Sequence, residues 1–193
     1  MSSVYEPRED SDLLARYVRL LARGRVLDMG TGSGVQAFIA AENSKVKEIT
    51  AVDINPLAIV HVARRIETLK EMDPRIRSMV VLQSDMFDVL DGQRFDTIIC
   101  NPPYLPDEEK DTDPALYGGP QGYEFAVKFL AEAKEYLAPG GQILFLFSSL
   151  TNRDRIDMEL KRLGYLHEEL AQLAEFFERL YVYRIWLPER DAQ

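Results

Sequence analysis

The stretch with the most specific chemistry is Asn101-Pro102-Pro103-Tyr104. Asn101 carries a side-chain carbonyl and an NH₂ group, the prolines hold their carbonyls outward, and Tyr104 supplies a ring face. Such a turn can hold a planar NH₂ group by accepting its protons while an aromatic ring covers it. Just before it runs Phe95-Asp96-Thr97-Ile98-Ile99-Cys100, which alternates and then becomes continuously apolar, as a strand buried on both faces does. Neither proline can donate to a ladder, so the strand stops there. The turn is thereby placed at the carboxyl end of a central strand, where open α/β sheets bind ligands.

A second chemical stretch lies upstream. Arg25-Val26-Leu27-Asp28-Met29 reads as a short buried strand running into Gly30-Thr31-Gly32-Ser33-Gly34, with a helix from about Val35 to Glu42. Strand, glycine turn and helix is the arrangement in which backbone approaches a ligand lying over a helix amino end. Dinucleotide-binding domains use a similar turn, but here the glycines fall as G-x-G-x-G, with Val35 at the position of a third glycine. Asp28, two residues before Gly30, is expected to face the ligand, and a carboxylate suits a cation better than a pyrophosphate.

Glu48 to Asp53 makes a second strand ending in an acid. Asp53 can bind both hydroxyls of a ribose, and dehydrogenases place an acid about 20 residues after their glycines, so it supports adenosine binding without choosing the cofactor. A third strand, Met79 to Gln83, is followed by Asp85, which can accept from an adenine amino group with Met86 or Ile54 against the ring.

The remaining chain supplies the frame. The opening Val4 to Ser11 is polar and extended around Pro7. Asp10 or Ser11 is expected to cap a helix on which Leu13, Leu14, Tyr17, Val18 and Leu21 recur at helical spacing. Leu105 to Tyr123 is a long segment rich in Pro and Gly, acidic over 105–114. A helix then reaches about Leu137 and ends at Pro139-Gly140-Gly141. Gln142 to Phe147 is a buried strand, and Arg153 to Leu163 a helix closed by Gly164. Leu166 to Phe177 scores locally as helix, while Arg179 to Trp186 alternates like an edge strand. The strand ending at Ala51-Val52-Asp53 reads as an exposed edge, either a docking edge for a partner or one blunted by the charges of Lys45, Lys47 and Glu48.

Length and composition bound the function. The 193 residues suit one domain with a full core, and 23 basic against 32 acidic residues leave a net charge of −9. That balance argues against a broad phosphate-binding surface. No apolar run reaches the roughly 20 residues of a membrane span, and no signal-peptide pattern opens the chain. The single Cys100 excludes an internal disulfide and fits a reducing cytoplasm. With only His61 and His167, a histidine metal site is not expected.

With the glycine turn, Asp53, Asp85 and the N-P-P-Y turn in order, the chain resembles a class I S-adenosylmethionine-dependent methyltransferase. Within that superfamily it is most similar to the HemK/PrmC-type protein methyltransferases, which modify the glutamine amide of the Gly-Gly-Gln motif in release factors. Tyr5-Glu6-Pro7 with Glu9-Asp10, and Ala115-Leu116-Tyr117-Gly118-Gly119, match the short archaeal and eukaryotic branch. The resemblance implies a single domain over 1–193, without the separate amino-terminal domain of the bacterial enzymes. It also implies that residues 1–22 are an amino-terminal segment and helix covering the cofactor and substrate site. It implies an α/β, Rossmann-like seven-stranded sheet, mostly parallel with an antiparallel last strand and helices on both faces. Part of Gly164 to Ala174 is therefore assigned to strand against its local helix score.

The resemblance also assigns roles. S-adenosylmethionine contacts fall on Gly30, Gly32 and Gly34 with Asp28 and Thr31, on Asp53 and Ile54, on Asp85 and Met86, and on Asn101. The substrate amide falls to Asn101 and Pro102, with Pro103, Tyr104, Glu9 and Asp10 around it. Asn101, Pro102 and Tyr104 are the catalytic candidates, and no metal is implied. Implied partners are a class 1 release factor as substrate and a small zinc-binding activator subunit.

Two other acceptors stay open. An exocyclic amine of adenine or guanine suits the N-P-P-Y turn but needs a base pocket and a basic approach. A protein lysine must first lose a proton. A nucleotide-binding partner without catalysis is a further alternative, which an Asn101 beside a cofactor turn disfavours.

Overall fold

The structure of the chain is a computed structural model, which describes residues 9–103 and 118–189. Seven strands form one sheet: β1 Gly24–Met29, β2 Val46–Asp53, β3 Met79–Gln83, β4 Phe95–Cys100, β5 Leu137–Ser148, β6 Leu166–Ala174 and β7 Arg179–Trp186. Their spatial order is β3-β2-β1-β4-β5-β7-β6. The first five run parallel and β7 is antiparallel to both its neighbours. The α-helices are α1 Glu9–Leu21, α2 Val35–Ala41, α3 Pro56–Leu69, α4 Glu124–Tyr136 and α5 Arg153–Leu163. None of the described helices is long and apolar enough to cross a membrane.

The continuous apolar runs are explained by two cores, one on each face of the sheet. Val26, Ile49, Ala51, Ile99, Leu144 and Val182 pack with Leu14 and Val18 of α1, Phe38 of α2 and Val62 of α3. Leu27, Ile98, Cys100, Phe145 and Tyr183 face the other way, against Phe129 of α4 and Leu160 of α5. Successive side chains point to opposite faces, so Ile98, Ile99 and Cys100 serve the two cores in turn. A strand covered twice has no polar face to alternate with, which is why β4 ends in the apolar run Ile98-Ile99-Cys100.

Four expectations change. Asp10 and Ser11 do not precede the first helix; both are buried inside it, and α1 begins at Glu9. Pro139-Gly140-Gly141 does not separate α4 from the next strand. β5 starts at Leu137 directly, and the three residues lie in a bulge where the pairing jumps from Phe95 with Leu137 to Thr97 with Gln142. Strand β7 is interior, because β6 covers its outer edge. Strand β2 is not an exposed edge either, since β1 and β3 pair with it on both sides. Its run of buried residues, Ile49 to Val52, reflects that central place.

Candidate active site

Register brings the chemical residues into one row. Met29 lies opposite Val52 on one side and Cys100 on the other, and Asp53 lies opposite Gln83. The chain therefore leaves β3, β2, β1 and β4 at the same end of the sheet, with Ser84, Ile54, Gly30 and Asn101 as neighbouring exits. This is the crevice at the carboxyl ends of the strands where doubly wound sheets hold ligands.

The glycine turn is tied down by hydrogen bonds to the strands beneath it. Thr31, which is buried, donates its N–H to the Val52 carbonyl at 2.9 Å. Gly32 N–H donates to Asp53 Oδ2 at 2.8 Å, and Asn55 N–H donates to Asp53 Oδ1 at 2.8 Å. Asp53 is half-buried, and each carboxylate oxygen keeps a further lone pair for a ligand hydroxyl. Two of the glycines differ in what holds them. Gly34 has φ 81, and a Cβ there would meet Phe38 at 2.9 Å and Val62 at 3.0 Å. Gly30 has φ 68, and a Cβ there would point into open space.

Asp28 does not face open space as expected. It is buried beneath the turn, where Oδ2 accepts from Thr31 Oγ1 at 2.6 Å and from Ala37 N–H at 3.1 Å. Burial pushes its carboxyl up to about 6; those two hydrogen bonds oppose the rise, and the Asp53 charge adds to it. Asp28 is thus the clamp between the glycine turn and α2. Burial, and then the Asp28 charge, also push the Cys100 thiol well above its ordinary range.

On the far side of the row Asp85 and Ile54 are exposed. Met86 departs from its expected role. It is buried in the core that holds Met29 and Phe87, with φ 47, and Ser84 Oγ donates to its carbonyl at 2.9 Å. Of the two apolar candidates for a base contact, Ile54 alone has an exposed side chain, so the apolar surface there belongs to it.

At the other end of the row Asn101 Nδ2 donates to Asp10 Oδ2 at 2.9 Å, while Asn101 Oδ1 is buried with no hydrogen-bond partner. Asp10 lies 91 residues upstream and is itself buried. Glu9 is exposed beside it. Pro102 is buried and Pro103 half-buried. The Pro103 carbonyl is not held outward: it packs on Gly118, 2.5 Å from where a Cβ would sit. Tyr104, the stretch Tyr5-Glu6-Pro7 and the loop 105–117 lie outside the described residues.

Sequence reasoning missed Gln36 and Ser11. Gln36, in the first turn of α2, is 4% exposed; its Nε2 donates to the Ser11 carbonyl at 2.9 Å, and its Oε1 has no partner. The available signal was a lone glutamine inside the apolar run Val35 to Ala41.

These features fit an adenosine. Asp53 can take ribose hydroxyls, Asp85 and Ile54 suit the base, and backbone at Gly30 leaves room for close approach. Three buried polar atoms without partners, Ser33 Oγ, Gln36 Oε1 and Asn101 Oδ1, sit on the turn, the helix and the strand end that frame this space. Buried polar groups are nearly always satisfied, so three orphans here mark where a polar ligand belongs.

Comparison with known proteins agrees. Residues 6–177 match the family described as Methyltransferase small domain. A putative protein N5-glutamine methyltransferase of Methanocaldococcus jannaschii is 38% identical, over 95% of this chain and 91% of its own length. The release factor glutamine methyltransferase of Salmonella typhimurium is 32% identical over 86% of this chain, and the match spans 62% of that relative. Among solved structures, the E. cuniculi Mtq2–Trm112 complex responsible for methylation of the eRF1 translation termination factor superimposes with a TM-score of 0.75. That match is 23% identical and covers 97% of this chain and 100% of the other. The seven-stranded sheet, the shared family and the relatives together lead to one conclusion: the chain belongs to the Methyltransferase small domain family, as an S-adenosylmethionine-dependent methyltransferase related to the protein-glutamine enzymes.

Proposed function

We propose that the chain methylates the side-chain amide nitrogen of a glutamine in the Gly-Gly-Gln motif of a class 1 release factor, as a single cytoplasmic domain in which α1 covers the site. The observation that carries this reading is the buried, unpartnered Oδ1 of Asn101 at the end of β4, beside the glycine turn.

An amide nitrogen is a poor nucleophile because its lone pair is delocalised into the carbonyl. Bound in the crevice, S-adenosylmethionine supplies an electrophilic methyl group. Asn101 Oδ1 accepts one N–H of the incoming amide, and the Pro102 carbonyl accepts the other. Held this way, the nitrogen is favoured in a pyramidal form with its lone pair aimed along the crevice. The gain is orientation and preorganised acceptors, for which effective molarities reach about 10⁵ M or more. The proton becomes acidic only after transfer, so no general base is needed beforehand. The family resemblance assigns Tyr104 to the acceptor amide, and Glu9 is exposed beside Asp10.

The relatives named for glutamine methylation support a protein acceptor, and the acidic balance disfavours a nucleic acid. A small activator subunit, zinc-binding in the branch that this chain resembles, is proposed to cover an exposed sheet edge. Strand β3 offers one: among the described residues it pairs with β2 alone, and Val80 is 50% exposed and Leu82 36% exposed.

The test is incubation with labelled S-adenosylmethionine and a release factor, alongside tRNA, rRNA and DNA. Label should enter the release factor and disappear when its Gly-Gly-Gln glutamine becomes alanine. Label in a nucleic acid alone, or label retained by the glutamine variant, would overturn the reading.

A further inference from the structure

We propose that Asp10 is a positioning residue for the acceptor site, holding the Asn101 amide in the one orientation that presents its carbonyl oxygen. The proposal rests on the amide-acceptor chemistry above but concerns a different atom pair, Asp10 Oδ2 and Asn101 Nδ2, 2.9 Å apart.

An asparagine amide has nearly the same shape after a 180° flip, which exchanges its acceptor and donor ends. Backbone and packing alone therefore select poorly between the two orientations. Only hydrogen-bond partners do. A carboxylate accepts and does not donate, so Asp10 accommodates the NH₂ end of Asn101 and repels the oxygen end. With the NH₂ group engaged, Oδ1 is left over, buried and unpartnered. The flipped amide would bring two oxygens together at Asp10 and aim donors at an acceptor whose NH₂ group also needs to donate. An unfixed Asn101 would thus spend part of its time in an orientation that cannot bind the amide.

Asp10 is itself held. It is 4% exposed, and its Oδ1 accepts the Ser11 N–H at 2.6 Å. The turn that carries it is pinned to α2, because Gln36 Nε2 donates to the Ser11 carbonyl. Leu14 and Val18, further along α1, are fully buried. The helix end is thereby locked to the sheet, and the carboxylate arrives at β4 on a rigid support. The same logic appears in Gln36: a main-chain carbonyl cannot donate, so the Gln36 NH₂ group faces Ser11 and its Oε1 is left unpartnered. Two consecutive residues of α1 orient two amides. The sequence reading made Asp10 a substrate contact; here it stands behind the contact.

The test uses the full chain with a release factor as acceptor. Asp10→Ala is expected to lower kcat about 10²-fold, the scale of loss for a misplaced reacting group, with cofactor affinity unchanged. Asp10→Asn, which keeps the shape and can accept through its carbonyl, should lose less. Asn101→Asp sets two carboxylates together and should be inactive. The swap Asp10→Asn with Asn101→Asp restores a donor–acceptor pair and should recover activity over Asn101→Asp alone, which a packing role would not do. A wild-type kcat in a folded Asp10→Ala variant, or a swap no better than Asn101→Asp, would overturn the proposal.

A second arm needs no acceptor. The Asn101 side-chain amide protons, read by ¹⁵N NMR in the free protein, should exchange slowly and lose that protection in Asp10→Ala. Identical exchange in the two proteins would overturn the pairing. Should the wild type fail to methylate a release factor, the proposed function falls while this arm still decides the role of Asp10.

Discussion

The N–H of Gly32 donates to Asp53 Oδ2 at 2.8 Å, so the acid at the end of β2 and the glycine turn after β1 form one unit. Removing the carboxylate deletes a charged acceptor for a ligand and loosens the turn at once. Asp53→Ala should weaken S-adenosylmethionine binding by about 1.5–3 kcal/mol, the range for losing a hydrogen bond to a charged group. Calorimetric titration of the folded variant measures this, and an unchanged affinity would remove Asp53 from the site. A nicotinamide dinucleotide should show no comparable binding to the wild type.

Asp28 makes stability depend on pH in an unusual direction. Its carboxyl titrates near 6 when folded and near 3.8 as a free group, so the folded state holds the proton more tightly. Stability is then full below 3.8 and declines as pH rises towards 6. That gap corresponds to about 3 kcal/mol. Asp28→Asn keeps a carbonyl for Thr31 and Ala37 and buries no charge. It should therefore be the more stable protein at pH 7–8 and lack the decline between pH 4 and 6. Urea unfolding across pH 4–8 checks this; parallel curves for the two proteins would refute it.

What the sequence showed and hid follows from where each signal originates. The glycine turn, Asp53 and the N-P-P-Y turn are local patterns, and the sheet register then sets them in one row. Strand order is not local. β2 and β7 each carry features of an edge, Lys47 with Lys45 just before it in one and alternation in the other, yet both are interior because β3 and β6 arrive from elsewhere in the chain. Strand β6 has a helix-like composition, and its pairing with β7 overrides that preference. Asp28 and Met86 carried the right residue types for ligand contact, and burial alone shows their side chains turned inward. The Asp10–Asn101 pair spans 91 residues, beyond any spacing rule.

The two glycines should separate stability from binding. At Gly34 an added Cβ collides with Phe38 and Val62 as well as straining φ 81. Gly34→Ala should unfold at a clearly lower urea midpoint. At Gly30 the Cβ meets no protein atom, so Gly30→Ala should cost only the strain of φ 68, about 1 kcal/mol. Its larger effect should appear in cofactor affinity, measured by titration, because that open space is where backbone and ligand approach. Equal affinities for Gly30→Ala and wild type would move the ligand elsewhere.

Asn101→Ala should abolish methyl transfer and leave cofactor affinity nearly intact, since Oδ1 addresses the acceptor and not the adenosine. The variant also removes the Asn101 N–H from Asp10 Oδ2, while Oδ1 keeps the Ser11 N–H, a cost of about 1–3 kcal/mol in stability. Thermal unfolding and cofactor titration measure these separately from turnover. Wild-type turnover would eliminate the amide clamp.

Strand β3 supplies the last prediction. Among the described residues its outer edge is unpaired, and unpaired edges are normally blunted by charge or covered. Here the residues along it are Met79, Val80, Val81, Leu82 and Gln83, with no charge among them. Val80 and Leu82 point to the same side, and both are exposed. A partner adding a strand would supply main-chain hydrogen bonds, and these apolar side chains would supply much of the affinity. The chain alone should therefore be poorly soluble or weakly active, and co-expression with a small activator subunit should restore both. Val80→Glu with Leu82→Glu should abolish co-purification of that subunit while improving the solubility of the lone chain, because the edge then carries its own charge. Size-exclusion chromatography and turnover with and without the subunit read the outcome. A monodisperse, fully active lone chain would show that β3 needs no cover.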